Sequence, residues 1–343
     1  MSRVREVLRM QASHNDHHVA LRTAVGVGVP LLLLVAVGRI DLAIFASFGA
    51  FTGIYGRNQP HRQRLIHQAT AGATLLVTIL AGAVASRAGI GDWGSVAGAT
   101  LVAGAAALVI GLSRLKPVGS LFHIFTFGAI ASVPAHPPLW QCLLTAALTV
   151  AFALAMSVAT RLLPSHRSPW TRPRTTPLTK PERRAVLREA ARYAIAAGTA
   201  GSIATALGIG HNYWAMVAAV VPLVGPTVTH RLGRGVNRVL GTTMGLGLTL
   251  MILLLGLEPW AMVLVIAVLQ FCTEMFVVRQ YAIAQTFVTP MALISTELAH
   301  PSPPALLIQD RAIETLIGCA VGFLVVLAAH FLSTLRATPA PEV

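Results

Sequence analysis

Long apolar stretches, separated by short polar connections, fill almost all of the chain. A helix rises about 1.5 Å per residue, so it needs about 20 apolar residues to cross the ~30 Å apolar core of a membrane. Apolar and polar residues do not alternate as they do in strands, so a helical bundle rather than a barrel is predicted. The pattern predicts about twelve spans, at 19–37, 42–56, 66–86, 94–112, 118–133, 139–162, 188–208, 212–228, 236–256, 260–277, 280–298 and 311–333.

A basic, proline-broken segment from 161 to 192 divides these spans into two sets of six. It carries nine Lys and Arg residues and five prolines, which is typical of a cytoplasmic linker between two membrane bundles. Thr179 and Glu182 have the spacing of a helix N-terminal capping box, so we expect a helix to begin there and run into the seventh span. The predicted order is a cytoplasmic segment, a first six-helix repeat, the linker, a second six-helix repeat and a cytoplasmic tail, at 1–18, 19–163, 164–187, 188–333 and 334–343.

Composition and charge agree with an all-α, polytopic transmembrane bundle. Of the 343 residues, 55% are hydrophobic and 11% are charged, whereas soluble domains carry about 25% charged residues. With the N-terminus inside, 23 of the 26 Lys and Arg residues fall in inner connections, and only Arg39, Arg87 and Arg311 fall outside. This asymmetry predicts that both termini and the linker lie in the cytoplasm, and it accounts for the net charge of +14 without a nucleic-acid partner.

The two halves resemble one unit used twice. Gly89-Ile-Gly-Asp-Trp93 recurs as Gly256-Leu-Glu-Pro-Trp260, and Ala135-His-Pro137 recurs as Ala299-His-Pro301, each in a predicted outer connection. These matches are short, so chance remains an alternative. Six spans in each unit predict parallel repeats related by an axis along the membrane normal.

The second and eighth predicted spans are unusual. The second is short and rich in glycine, and Pro222 interrupts the eighth, which should bend or break there. Interrupted spans in equivalent positions of two halves indicate a transport site. A kink that only serves close helix packing is the alternative.

Several polar side chains in the second half are candidates for a substrate or ion pathway. Arg238 lies about one turn inside the membrane boundary, where it either reaches back to the interface or attracts an anion. Gly241 and Gly245 form a G-x-x-x-G pair that allows another helix to approach closely. Glu274 and Arg279 are near enough in sequence to form an ion pair at the cytoplasmic side.

The eleventh span carries the main candidate site. Pro290 cannot donate to the carbonyl of Thr286, and the hydroxyls of Thr286 and Thr289 stand beside that gap. A helix broken in this way exposes backbone dipoles that bind small ions or polar solutes. A purely structural kink is the alternative.

Two further ionisable groups lie within predicted spans. Glu314 sits about a turn below the outer surface, either paired with Arg311 or coupled to protons. His123 is expected to be a buried, hydrogen-bonded histidine rather than a proton carrier. The cluster of His14, Asp16 and two further histidines before the first span is expected to be a solvated lead-in, so no metal site and no cofactor are predicted.

An ordered set of motifs in the second half carries a family resemblance. They are Tyr213-Trp-Ala215, Arg238-Val-Leu-Gly-Thr242, Gly245, Glu274, Arg279-Gln-Tyr-Ala282, Phe287-Val-Thr-Pro290, Arg311, Glu314-Thr315 and Gly318. With them, residues 190–333 resemble the fusaric acid resistance family of bacterial inner-membrane proteins, which includes aromatic acid exporters. The family often has an aspartate where Glu314 stands. Many of its members also carry a large cytoplasmic domain, which the short linker replaces here.

The resemblance implies a function that composition alone does not give. It implies proton-driven efflux of small aromatic carboxylic acids across the bacterial cytoplasmic membrane, with an organic anion, protons and the lipid bilayer as partners. A homo-oligomer stays open. The alternatives are an anion channel similar to the plant malate channels and a non-transporting assembly or stress protein. A membrane enzyme is least favoured, because no nucleophile, metal or phosphate-binding motif stands out.

Overall fold

The computed structural model describes residues 16–57, 59–133, 137–162, 176–298 and 304–337. The regular structure in these ranges is helical and includes no strand, which confirms the predicted all-α fold class. Twelve α-helices are described: α1 Asp16–Ala36, α2 Ala43–Ala50, α3 His61–Arg87, α4 Gly91–Leu112, α5 Leu121–Ala131, α6 Leu139–Ala159, α7 Lys180–Ala206, α8 Tyr213–Val220, α9 Val228–Leu254, α10 Pro259–Phe276, α11 Tyr281–Glu297 and α12 Pro304–Ala337.

Seven of these helices are long and apolar enough to cross a membrane: α1, α3, α4, α6, α9, α10 and α12. Helix α7 is equally long, but its first half carries the basic residues that the sequence places in the linker. Helices α2, α5 and α8 belong to shorter apolar segments, and α11 has 17 residues. The structure therefore supports a helical membrane protein, while the expectation of twelve full-length helical spans is not met by helix length alone.

Helices α2 and α8 are short because each segment changes its backbone conformation. Both contain eight residues, and each is followed by a 3₁₀ turn, at Phe51–Ile54 and Val221–Leu223. The chain then becomes extended at Tyr55 and at Val224. The predicted break near Pro222 is thus confirmed. All eight residues of α8 are buried, because only contact with protein can cover irregular backbone at membrane depth.

Helix packing in the first half is reproduced in the second. Helix α3 packs on α5 and α6 as α9 packs on α11 and α12, and α2 packs on α6 as α8 packs on α12. Between the halves, α4 packs on α7 in the way that α10 packs on α1. These contacts of the first six helices therefore recur among helices six places later in the chain.

The start of α7 has the predicted capping geometry. The Glu182 backbone N–H donates to the Thr179 hydroxyl at 3.4 Å, and the Thr179 N–H donates to the Glu182 carboxylate at 2.7 Å. These hydrogen bonds from Thr179 hold the pKa of Glu182 below its ordinary value. The capping-box prediction is confirmed, whereas residues 163–175 of the predicted linker, His14 and the repeated Ala-His pairs at 135–136 and 299–300 lie outside the described residues.

Candidate functional site

A chain of four charged side chains joins the two halves at one end of the bundle. The Arg57 guanidinium donates to Asp16 Oδ1 at 2.8 Å, to the Glu274 carboxylate and to the Glu274 carbonyl at 2.7 Å. Arg279 Nε donates to Asp16 Oδ2 at 2.8 Å. We call Asp16, Arg57, Glu274 and Arg279 the inter-half network. It links the start of α1 and the connection after α2 to the end of α10 and the start of α11.

The predicted ion pair between Glu274 and Arg279 is corrected by this network. Arg57, which comes from the other half, occupies the Glu274 carboxylate, and Arg279 reaches Asp16 instead. The turn between α10 and α11 and the position of α1 decide this arrangement, because they bring an N-terminal carboxylate within reach of Arg279. Spacing along the sequence does not contain that information.

A second polar cluster lies between α9 and α11. The Arg238 guanidinium donates to Gln285 Oε1 at 2.8 Å, and the Gln285 amide donates to Thr289 Oγ1 at 3.0 Å. Arg238 is 2% exposed, so it neither reaches back to the interface nor lies open to solvent. The cluster depends on Gly241 and Gly245, because a Cβ on Gly245 would come within 2.6 Å of Thr289 Cβ.

The helix around Pro290 is not broken, which corrects the main sequence prediction. Helix α11 runs without interruption from Tyr281 to Glu297, with Pro290 buried inside it. The Thr286 carbonyl that Pro290 leaves without a donor faces Gly245, where an added Cβ would lie 3.0 Å from it. The hydroxyls of Thr286 and Thr289 donate to carbonyls of their own helix, at 3.1 Å and 3.0 Å. Close packing by α9 therefore covers the expected gap.

Arg311 and Glu314 on α12 interact electrostatically, but among the described residues they do not form a hydrogen-bonded pair. Their side chains are fully buried, at 1% and 0% exposure. The three guanidinium nitrogens of Arg311 and both carboxylate oxygens of Glu314 have no hydrogen-bond partner in the described part of the chain. The Arg311 guanidinium carbon instead lies 3.7 Å from the centre of the Trp214 ring on α8.

The two remaining predicted residues have structural contacts. His123 on α5 is 1% exposed, and its Nε2 lies 3.0 Å from Thr74 Oγ1, as expected for a buried, hydrogen-bonded histidine. Pro222 is buried between α9 and α12, where Cβ atoms added to Gly235 and Gly322 would lie 3.0 Å and 2.9 Å from its ring.

A small pocket lined by residues of both halves lies between them. We call it the inter-half pocket. The rings of Phe48, Phe51 and Phe125 line it from the first half, and Gln270 and Ser295 are among the lining residues from the second. The Gln270 amide also donates to the Glu274 carboxylate at 3.4 Å, so the pocket adjoins the inter-half network.

The polar cluster, Trp214 and the buried charges of α12 all fall within one stretch that matches a known family. Residues 199–325 match the family model described as fusaric acid resistance protein-like. This segment is similar to the fusaric acid resistance proteins, and we call it the fusaric acid resistance protein-like domain. The resemblance that the motifs indicated is confirmed over these residues, and the chain is a membrane protein with several apolar helices.

A curated protein that is similar to this chain is also a membrane protein. The uncharacterized membrane protein YvaC of Bacillus subtilis (strain 168) is 34% identical to the chain over 139 residues, which are 40% of this chain. The matched part of the chain spans 22% of the length of that relative. No solved structure matches the chain.

Sequence reasoning missed the residues that come from the first half. Arg57 was assigned only to a basic connection, and the three Phe rings of the pocket were treated as ordinary apolar residues of their spans. Gln285 stands four residues before Thr289 and one turn after Tyr281, so its place on a polar stripe of α11 was a usable signal. For Arg57 no local signal exists, because its partner is 217 residues away.

Proposed function

We propose that the chain is a membrane transporter that exports small aromatic carboxylic acids, driven by the proton gradient and built from two parallel six-helix repeats. The residues that line the inter-half pocket indicate the class of substrate. The pocket combines three Phe rings with the polar side chains of Ser47, Gln270, Ser295 and Thr296, and such a lining suits a ligand with one aromatic and one polar end. The family match supports transport as the activity.

Contacts between helix ends support twelve crossings despite the short helices. The start of α1, the residue after the α2 segment and the end of α10 meet in the inter-half network. Arg39, after α1, donates to Gln141 at the start of α6 at 2.6 Å, at a different set of helix ends. An eight-residue helix of about 12 Å, a 3₁₀ turn and a few extended residues together cover about 30 Å. The α2 and α8 segments are therefore long enough to cross as composite spans.

Topology gives the first test of this proposal. Reporter tags at residue 1, within 163–175 and at residue 343 should all report the cytoplasm, because 23 of the 26 Lys and Arg residues would then lie inside. Accessibility of each tag to a membrane-impermeant reagent in intact cells measures this. A tag within 163–175 that is labelled from outside would contradict the arrangement of six plus six crossings.

Filling the inter-half pocket gives the test of transport. Ser295→Phe should reduce export of radiolabelled benzoate by about tenfold or more, because a bulky ring then occupies the space that the substrate ring needs. The Ser295 hydroxyl donates only to the carbonyl of Met291 on its own helix, so its replacement breaks no contact between helices. Uptake into inside-out vesicles, with and without a proton gradient, is the measurement.

The matched control is Thr243→Phe on α9. Thr243 is exposed, and its hydroxyl likewise donates to a carbonyl of its own helix, so this variant should transport like the wild type. Uptake that is absent in the wild type would contradict a transporter and favour an assembly or stress protein. Benzoate current that needs no proton gradient would favour an anion channel.

A further inference from the structure

The buried charges of α12 are not explained by packing. Arg311, Glu314 and Trp214, which we call the Arg311 site, lie where α12 packs tightly on α8, since an added Cβ on Gly318 would meet Ala218 Cβ at 2.6 Å. Arg311 and Glu314 together place five charged-group atoms out of water, and none of these atoms has a hydrogen-bond partner among the described residues. A buried charge is normally retained only with a partner or a function, because its loss of hydration is not otherwise compensated.

The N–H donors of the Arg311 guanidinium are not engaged by the described residues. Trp214 covers one face of the guanidinium at 3.7 Å, which is a cation–π contact that does not involve the N–H bonds. All three nitrogens point their N–H bonds in the plane of the group, and none of the three has a partner. This planar set of donors is the geometry that binds a carboxylate through two parallel hydrogen bonds.

The charges that face Arg311 favour an anion. Arg238 from α9 interacts electrostatically with Arg311, together with Glu314, Tyr213 and Tyr281. The hydrogen-bond partners of Arg238 itself, Gln285 and Tyr281, are neutral. Two guanidinium groups therefore face one buried carboxylate in this region, so positive charge is in excess and favours an anion.

The remaining carboxylate near Arg311 lies at the surface. Asp310 precedes Arg311 on α12, and its side chain is 29% exposed. Its Oδ2 lies 3.6 Å from Nδ1 of His211, whose side chain is 39% exposed. Because the Asp310 carboxylate is at the surface, water and His211 screen it more than they screen Glu314. Asp310 therefore offsets the buried positive charge less than Glu314 does.

We propose that the Arg311 site binds the carboxylate group of the transported acid. The in-plane N–H bonds of Arg311 receive the two oxygens, Trp214 holds the guanidinium from one face, and Arg238 adds a second positive charge. This assignment rests on the proposed function for the substrate class. It places the binding of the acid group at Arg311 rather than at Pro290.

Trp214 adjoins both the Arg311 site and the inter-half pocket. The Phe125 ring, which lines the pocket, is 4.3 Å from the Trp214 ring, tilted by 37°. The Arg311 guanidinium carbon is 3.7 Å from the centre of the same Trp214 ring. The proposed carboxylate site and the pocket therefore share one aromatic neighbour.

Binding of radiolabelled benzoate to purified protein tests the proposal without any transport assay. Arg311→Met should weaken benzoate binding by about 30-fold or more, because truncating one member of a buried charged pair has an effect of this size. Benzamide, which keeps the ring but has no charge, should compete poorly with benzoate for the wild type. Glu314→Gln should bind benzoate at least as tightly as the wild type, because a negative charge near the ligand has been removed.

The matched control is Arg234→Met on α9. The Arg234 guanidinium carbon lies 4.2 Å from the centre of the Tyr281 ring, so this variant also removes an arginine–aromatic contact from the same domain. It should bind benzoate like the wild type. Thermal melting gives a second readout. Benzoate should raise the melting temperature of the wild type but not that of the variant.

Several outcomes would overturn the assignment. Unchanged benzoate affinity in Arg311→Met excludes the site, and so does a wild type that binds no benzoate. If Arg311→Met does not fold, Arg311→Lys decides, since a lysine retains the charge but loses the planar pair of donors. Its unchanged affinity would exclude carboxylate recognition by the guanidinium. If benzoate binding depends on Arg311 but vesicles show no transport, the Arg311 site is supported and the transporter function is refuted. If Arg311→Met transports benzoate with unaltered apparent affinity, the transporter function is supported and the Arg311 site is refuted.

Discussion

Replacing Arg57 with Gln is expected to destabilise the folded protein by about 3–5 kcal/mol, the range for removing one partner of a buried ion pair. The guanidinium of Arg57 binds both the carboxylate and the carbonyl of Glu274, whose side chain is 4% exposed. Asp16 retains Arg279 as a partner, whereas Glu274 is left with the 3.4 Å hydrogen bond from Gln270. Loss of folded, monodisperse protein and a lower melting temperature are the measurements.

Double-mutant cycles distinguish the Arg57–Glu274 contact from the Glu274–Arg279 pair that sequence spacing predicted. Glu274→Gln should restore part of the stability lost in Arg57→Gln, because the unpaired carboxylate is then removed as well. The cycle between Glu274 and Arg279 should show a smaller coupling, because Asp16 and Arg57 stand between them. If the larger coupling were found with Arg279, the inter-half network would be wrong.

Adding a side chain at Gly245 is the second change for which we expect a large effect. Gly245→Val should cost at least about 1–3 kcal/mol, as overpacking does in a well-packed interior. The new Cβ would lie 2.6 Å from Thr289 Cβ and 3.0 Å from the Thr286 carbonyl oxygen. The backbone of α11 cannot move away from α9 without separating Arg238 from Gln285, so the strain has no local relief. Folded yield and melting temperature measure the effect.

Gly247→Val is the matched control for Gly245. Gly247 lies on the same helix, and nothing lies within 4 Å of the position of its added Cβ. Both substitutions change helix propensity equally, so any difference reports the packing of α9 on α11. Equal stability of the two variants would show that these helices do not approach as described.

The number and type of helices could be predicted from the sequence because they depend on local pattern. The positions of all twelve α-helices follow the apolar stretches to within a few residues at most ends, although α7, α9 and α12 begin earlier than their apolar parts. The capping box at Thr179, the break at Pro222 and the close approach at Gly241 and Gly245 also follow from neighbouring residues. In each case the cause lies within one turn of helix.

The partners of the buried charges could not be predicted, because packing between distant helices decides them. The sequence places Arg279 five residues after Glu274 and Arg311 three residues before Glu314. In the structure, Glu274 forms an ion pair with Arg57, and the Arg311 guanidinium lies over the Trp214 ring. In a bundle whose interior excludes water, a charged group takes whichever partner the tertiary contacts bring nearest, and sequence neighbours on one helix have no advantage.

By itself, the sequence determined that this is an all-α membrane protein and that its second half is similar to the fusaric acid resistance proteins. Apolar length and local helix signals suffice for the first, and an ordered set of motifs suffices for the second. Only the tertiary structure decided that α11 passes Pro290 unbroken, that an aromatic pocket forms between the halves and that no described residue forms a hydrogen bond with the Arg311 guanidinium. Each of these features depends on which helix packs against the residue concerned. That neighbour is tens to hundreds of residues away in the chain, so local sequence does not identify it.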